Sequence, residues 1–151
     1  MPHLPVDNDN RSRPCRVRLY RRPLVGPLAY HWALYFDWGD YDAYYEADDG
    51  DGGKLTPHWS RGKPPNSPGV LWMDVGRITV SPRVVNERAR NNPHNGKEYI
   101  LTMMNCQVWA HQLANSLGLN IPIPANLVQV ITPTLGMAAN VLQKMGLFNK
   151  K

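Results

Sequence analysis

The sequence has few cysteines and no long apolar stretch, and each shortage excludes a class of protein. Its 151 residues include two cysteines, Cys15 and Cys106, which lack the spacing of a disulfide framework or a zinc site. No uninterrupted apolar stretch is long enough to cross a bilayer, and the first residues lack the apolar core of a secretory signal. We therefore expect an intracellular, cytoplasmic protein without a bound metal.

Positive charge is concentrated near the start of the chain. The net charge is +5 at pH 7, and arginine is dense in "RSRPCRVRLYRR" at 11–22. Such a segment attracts nucleic acid, anionic lipid or an acidic ligand, but no nucleic-acid-binding motif accompanies it. We interpret it as a solvated basic edge strand and expect no nucleic-acid partner.

Proline and glycine divide the chain into ordered and turn-rich parts. The 14 prolines and 12 glycines cluster, and residues 1–14, 48–70 and 91–96 are poor in core-forming side chains. These features predict a loose N-terminus over 1–14 and one domain over 15–151, which contains a long loop at 48–70. Within that loop, "DDGDGG" lacks the ligand order of a calcium site and favours a flexible turn.

Strands are predicted in the first half of the chain. "CRVRLYRRPL" alternates apolar and basic residues, and "LAYHWALYF" is rich in aromatic residues and bounded by turns. A short helix is predicted at 82–90. The predicted strands occupy 15–24, 28–36, 42–47 and 69–80, the last of these as one strand or two.

Helices are predicted in the second half. "NCQVWAHQLANSLGL" at 105–119 has Asn105 as a good N-cap, Gly118 as a good stop and one apolar stripe that includes Cys106. A second apolar stripe predicts a helix at 132–148. Strands followed by a helix that carries cysteine indicate an α+β fold.

Cys106 and His31 have the residue types of a nucleophile and its base. Cys106 lies in the first turn of its predicted helix, where free N–H groups and the helix dipole favour a thiolate. His31 lies in the middle of the aromatic strand, and its small neighbours Ala29 and Ala33 leave room on the same face for a helix end. Each residue alone is more often structural than catalytic, and it is their combination that indicates chemistry.

Glu46 is the candidate for the group that orients the imidazole. Antiparallel pairing of 28–36 with 42–47 brings Glu46 beside His31 on one face of the sheet. The apolar setting "YYEA" offers no other obvious reason for a carboxylate. The residues therefore suggest a triad of Cys106, His31 and Glu46.

The two motifs together resemble a known family. "YHWALYF" and the later "NCQVWAHQLA" are similar to the "HWAIYV"-like strand and "NCEHFV"-like helix start of the lecithin retinol acyltransferase-like family. That family includes the H-Ras-like suppressor acyltransferases and belongs to the permuted papain-like, NlpC-type thiol hydrolases. The resemblance covers residues 15–47 and 99–118, with "VRLYRRPL" as the preceding strand. It departs from the family at Glu46, where members often have a second histidine, and at "QVW", where they have "EHF".

The resemblance implies a small antiparallel sheet packed on the cysteine helix of a single catalytic domain. It implies that Cys106 attacks an ester, amide or thioester carbonyl and that His31 acts as base, with no cofactor. We expect an acyl-bearing small molecule or lipid as substrate. The residues expected to bind it are Tyr30, Trp32, Tyr45, Asn105 and Trp109.

Several alternatives remain open at the level of sequence. The same site would suit an isopeptidase-type amide hydrolase or a small-molecule cyclase or lyase. A non-catalytic binding protein that keeps the fold and docks an acidic partner through residues 11–22 is a further alternative. Residues 127–148 fit a core helix or an oligomer contact better than a peripheral membrane contact, and the oligomeric state is not predicted.

Overall fold

A five-stranded antiparallel sheet and two helices form the ordered part of the molecule. The structure is a computed structural model that describes residues 4–23, 30–98 and 105–122. Its strands are β1 (Arg13–Pro23), β2 (Tyr30–Asp37), β3 (Asp42–Asp49), β4 (Leu55–Arg61) and β5 (Leu71–Val80). Its helices are α1 (Pro82–Arg90) and α2 (Asn105–Ser116), and a short 3₁₀ turn (Asp51–Gly53) precedes β4. The predicted α+β class is therefore confirmed, and nothing in the element order identifies the fold as papain-like.

The strand order is β4-β3-β2-β1-β5, which places β1 inside the sheet. It pairs with β2 from Arg16 opposite Asp37 to Pro23 opposite Tyr30, and with β5 on its other side. The prediction of a basic edge strand at 11–22 is therefore wrong. The alternation of arginine with apolar residues reflects a strand with two different faces, and it does not show whether the strand has one neighbour or two.

The main core lies between one face of the sheet and helix α2. Trp32, Leu34 and Phe36 of β2 share this core with Trp109 and Leu113 of α2. Because side chains alternate along a strand, His31, Ala33 and Tyr35 point to the opposite face. The body of the cysteine helix therefore packs on the face opposite His31. Only its first turn comes near His31, at the beginning of β2.

Residues 48–70, predicted as a loop, contain the end of β3 and all of β4. β4 pairs with β3 from Leu55 opposite Asp49 to Arg61 opposite Ala43. It is an edge strand, and an edge position tolerates Pro57, which has no N–H to donate to the sheet. The sequence predicted a loop here because proline, glycine and aspartate, which are typical of loops, are frequent around this strand.

The N-terminal residues pack against the domain, so the expectation of a loose terminus needs correction for residues 4–14. Leu4 and Asp7 are buried, and Tyr41 donates a hydrogen bond to the carboxylate of Asp7. The side-chain amide of Asn86 in α1 donates to the carbonyl of Pro5 at 2.9 Å. These contacts hold a segment without regular secondary structure against α1 and the β2–β3 turn.

Helix α1 confirms the short helix predicted at 82–90. The hydroxyl of Ser81 accepts a hydrogen bond from the N–H of Val84 at 3.2 Å, and Pro82 occupies the first turn. Both features are typical of a helix start, since proline needs no hydrogen-bond acceptor there.

Helix α2, predicted at 105–119, is described over Asn105–Ser116 and ends before Gly118. The N–H of Leu119 donates to the carbonyl of Ala114, and that of Gly118, whose φ is 78°, to the carbonyl of Asn115. This is a Schellman stop, which requires the left-handed conformation that glycine adopts freely. The helix predicted at 132–148 lies outside the described residues. Among those described, no helix is both long and apolar enough to cross a membrane.

Candidate active site

His31 and Glu46 meet on the sheet face that α2 leaves uncovered. Glu46 of β3 is directly opposite Ala33 of β2, which makes it the diagonal neighbour of His31. The imidazole Nε2 lies 2.7 Å from the Glu46 carboxylate oxygen Oε1. The His31 side chain is 3% exposed and the Glu46 side chain is 20% exposed. Ala33 is the small residue that lets these two side chains meet across the strand pair.

The first turn of α2 meets the first residue of β2. The carbonyl of Tyr30 accepts a hydrogen bond from the side-chain amide of Gln107 at 2.8 Å, and the Cys106 sulfur lies 4.0 Å from the same oxygen. The Cys106 side chain also interacts with the His31 imidazole and helps to raise its pKa. Cys106, His31 and Glu46, three residues chosen from the sequence, are thus brought together.

The pKa of His31 reflects both of its neighbours. Burial disfavours the charged imidazolium and on its own would lower the pKa, but hydrogen bonds with Cys106 and Glu46 outweigh it. The pKa of His31 is raised from 6.5 to about 9. Burial likewise opposes ionisation of Glu46, yet the hydrogen bond from His31 and nearby positive charges lower the pKa of this carboxyl. The two residues therefore form an ion pair near neutral pH.

The two cysteines differ in their surroundings although both are buried and free. Cys15 lies in β1, among core residues, and burial raises the pKa of its thiol to about 12. Cys106 lies in the first turn of a helix, beside an imidazole. Since a thiolate is the nucleophilic form of cysteine, these surroundings favour reactivity at Cys106 and oppose it at Cys15.

Three of the five residues predicted to bind substrate belong to the core. Trp32, Tyr45 and Trp109 are buried, and the Trp109 indole donates a hydrogen bond to the side-chain oxygen of Asn95 at 2.6 Å. Their large aromatic area explains the burial, and they support the site from behind instead of contacting a substrate. Tyr30 and Asn105 are partly buried at the meeting point of β2 and α2.

Sequence reasoning missed Gln107 and Arg22. Gln107 is buried, and its side-chain oxygen has no hydrogen-bond partner among the described residues. Its position next to Cys106 in the first helical turn was the available signal. Arg22 lies directly opposite His31 in the pairing of β1 with β2, which only the strand register reveals.

A second histidine also lies close to the carboxylate of the site. His58 of β4 is directly opposite Glu46, and its Nε2 lies 2.7 Å from a carboxylate oxygen of Asp48. Within the described ranges, no group of three or more histidine, cysteine, aspartate or glutamate side chains is arranged to hold a metal ion.

Comparison of this chain with protein-family models, with curated proteins and with solved structures found no match. Its resemblance to a known family therefore rests on the two motifs "YHWALYF" and "NCQVWAHQLA".

Proposed function

We propose that this protein is a cysteine-dependent acyltransferase or hydrolase that works through a thioester on Cys106. The observation that supports this most directly is the buried pair of His31 and Glu46, 2.7 Å apart, with the Cys106 side chain within reach of the imidazole. A nucleophile, a base and a group that orients the base are what acyl transfer through a covalent intermediate requires.

The chemistry proceeds in two halves. In the reactive form the thiol proton of Cys106 is on His31, and the sulfur attacks as a thiolate to form a bond to the carbonyl carbon of an ester, amide or thioester. The bond from that carbon to the leaving group then breaks, and the imidazolium returns its proton to the leaving group. In the second half, water or another acceptor attacks the thioester, His31 takes the acceptor's proton, and Cys106 is released.

The hydrogen bond with Glu46 determines which imidazole nitrogen takes part. Since the carboxylate engages Nε2, Nδ1 is the nitrogen that remains to accept the thiol proton. Glu46 also stabilises the imidazolium that forms when the proton moves. The N–H of Cys106, in the first turn of α2, is the proposed donor to the oxyanion of the tetrahedral intermediate.

The test is intact-mass analysis of the protein after incubation with a panel of neutral acyl donors. The panel contains 4-nitrophenyl acetate, 4-nitrophenyl octanoate, a thioester and a peptide amide, and iodoacetamide serves as a general thiol reagent. We expect a single acyl adduct that peptide mapping assigns to Cys106, and we expect the Cys106→Ser protein to give no thioester.

Cys15 provides the matched control, because it is equally buried but has no base beside it. The Cys15→Ser protein should form the adduct at the wild-type rate. Equal labelling of Cys15 and Cys106, or an adduct rate unaffected by His31→Ala, would contradict the proposal. A reaction with the peptide amide alone would assign the same three residues to an amide hydrolase.

The acidic-partner alternative has lost most of its basis. Four of the six arginines at 11–22 are engaged within the chain: Arg11 and Arg13 pair with Asp9 and Asp40, and Arg16 pairs with Asp74. Arg18 lies against the rings of Tyr35 and Trp72. A segment in which most of the charges are already engaged offers little attraction to an acidic partner.

A further inference from the structure

Arg22 is the cross-strand neighbour of the proposed base. Residues directly opposite each other in an antiparallel pair have Cβ atoms about 5 Å apart and point to the same face. Arg22 and His31 are such a pair, so the Arg22 side chain lies on the same face as those of His31 and Glu46. Arg22 is partly buried, and its charge is close enough to help lower the pKa of Glu46.

No ion pair among the described residues includes Arg22. The segments outside the described ranges contain no aspartate or glutamate, so they bring no side-chain carboxylate to it. The Glu46 carboxylate lies near both positive groups, but its short contact is with His31. An anion bound by Arg22 would give the guanidinium a hydrogen-bonded partner of its own.

We infer that Arg22 binds an anionic group, carboxylate or phosphate, of the acyl donor that Cys106 attacks. The inference rests on the proposed function and adds a substrate class to it. The donor is negatively charged close to its reactive carbonyl. During the reaction the Cys106 sulfur bonds to that carbonyl carbon, the leaving group departs with the proton from His31, and the anion stays on Arg22.

The first test compares two alkylating reagents of nearly equal shape, iodoacetate and iodoacetamide. Only iodoacetate carries the anion that Arg22 would bind. The measured quantity is the ratio of their rates at Cys106, because a change in thiolate population affects both reagents equally and cancels. We expect Arg22→Gln to lower the iodoacetate to iodoacetamide ratio about tenfold, the effect of one charge-assisted hydrogen bond, and we expect Arg22→Lys to retain much of it.

Arg77→Gln is the matched control, since it removes the same charge from the same sheet. Arg77 is exposed and lies opposite Arg16, six residues along β1 from Arg22 and therefore about 20 Å away. This variant should keep the wild-type ratio. An unchanged ratio in Arg22→Gln, or an equal fall in Arg77→Gln, would overturn the inference.

The second test locates the anion on the donor. Mono-4-nitrophenyl succinate carries a carboxylate on the acyl part, acetyl phosphate carries its phosphate as the leaving group, and 4-nitrophenyl acetate is the neutral reference. Arg22→Gln should slow acylation by one charged donor about tenfold relative to the reference, and equal slowing of all three would refute donor binding. If the neutral ester acylates Cys106 and Arg22→Gln has no effect with any donor, the proposed function is supported and the inference about Arg22 is refuted. No acylation by any donor would sink the proposed function, even if the alkylation ratio depended on Arg22.

Discussion

Two histidine–carboxylate pairs lie side by side on this sheet and differ in almost everything except distance. His31 and Glu46 are 2.7 Å apart, and so are His58 and Asp48. The side chains of the first pair are 3% and 20% exposed, whereas those of the second are 47% and 46% exposed. Only the first pair has a cysteine within reach.

A short His–carboxylate contact therefore does not by itself make a base. At a solvated surface such a pair is screened by water and contributes little. In a buried setting the same contact perturbs the pKa of both partners, because the ionic state depends on the neighbours instead of the solvent. The proposed role of the first pair therefore rests on burial and on Cys106, and the second pair serves as its internal control.

The largest expected effect comes from deleting the imidazole of each pair. His31→Ala should slow acylation of Cys106 by 4-nitrophenyl acetate by roughly 10²- to 10⁴-fold, because the thiol loses its base. His58→Ala should change this rate by no more than about twofold, since His58 does not touch the nucleophile. Stopped-flow detection of nitrophenolate measures both rates, and similar losses in the two variants would show that the pairs are equivalent.

A smaller effect is expected from neutralising the carboxylate of each pair. Glu46→Gln keeps the shape but loses a charge-assisted hydrogen bond, so acylation should slow roughly 10- to 100-fold. Asp48→Asn is the corresponding change in the exposed pair and should leave the rate near that of the wild type. If both amides behaved like the wild type, Glu46 would have no part in orienting the imidazole.

The smallest effect is on the pH dependence of stability. Because the pKa of His31 is raised from 6.5 to about 9, its protonated form stabilises the folded state fully below pH 6.5. This contribution is lost as the pH rises through about 9. Cys106→Ala should lower the pKa of His31 and move this loss to lower pH, measured by urea unfolding and NMR titration. An unchanged profile in Cys106→Ala would mean that the thiol and imidazole do not interact.

Much of the fold could be predicted because hydrophobic patterns report which faces are buried. The aromatic strand, the short helix at 82–90 and the cysteine helix all lie where their patterns placed them, and Gly118 ends its helix as expected. β4 was missed because Pro57 and its turn-rich surroundings are typical of a loop, and only the edge position makes this strand possible.

The residues of the candidate site could be named from the sequence, but their geometry could not. Alternation put His31 and Glu46 on one face, but it does not say which face a helix will cover, and α2 covers the other one. Trp32 and Trp109 were expected to contact a substrate because they adjoin the base and the nucleophile. Burying a large aromatic side chain stabilises a core strongly, and both tryptophans are buried in the core.

The carbonyl of Tyr30 has a consequence for how the molecule folds. It joins the beginning of β2 to the beginning of α2 through Gln107, across a separation of 77 residues in the chain. Contacts between such distant residues form after local structure because closing a long loop costs conformational entropy. Cys106 and His31 are therefore separate until this contact forms. The reactivity of Cys106, measured during refolding, will therefore report when the helix docks on the sheet.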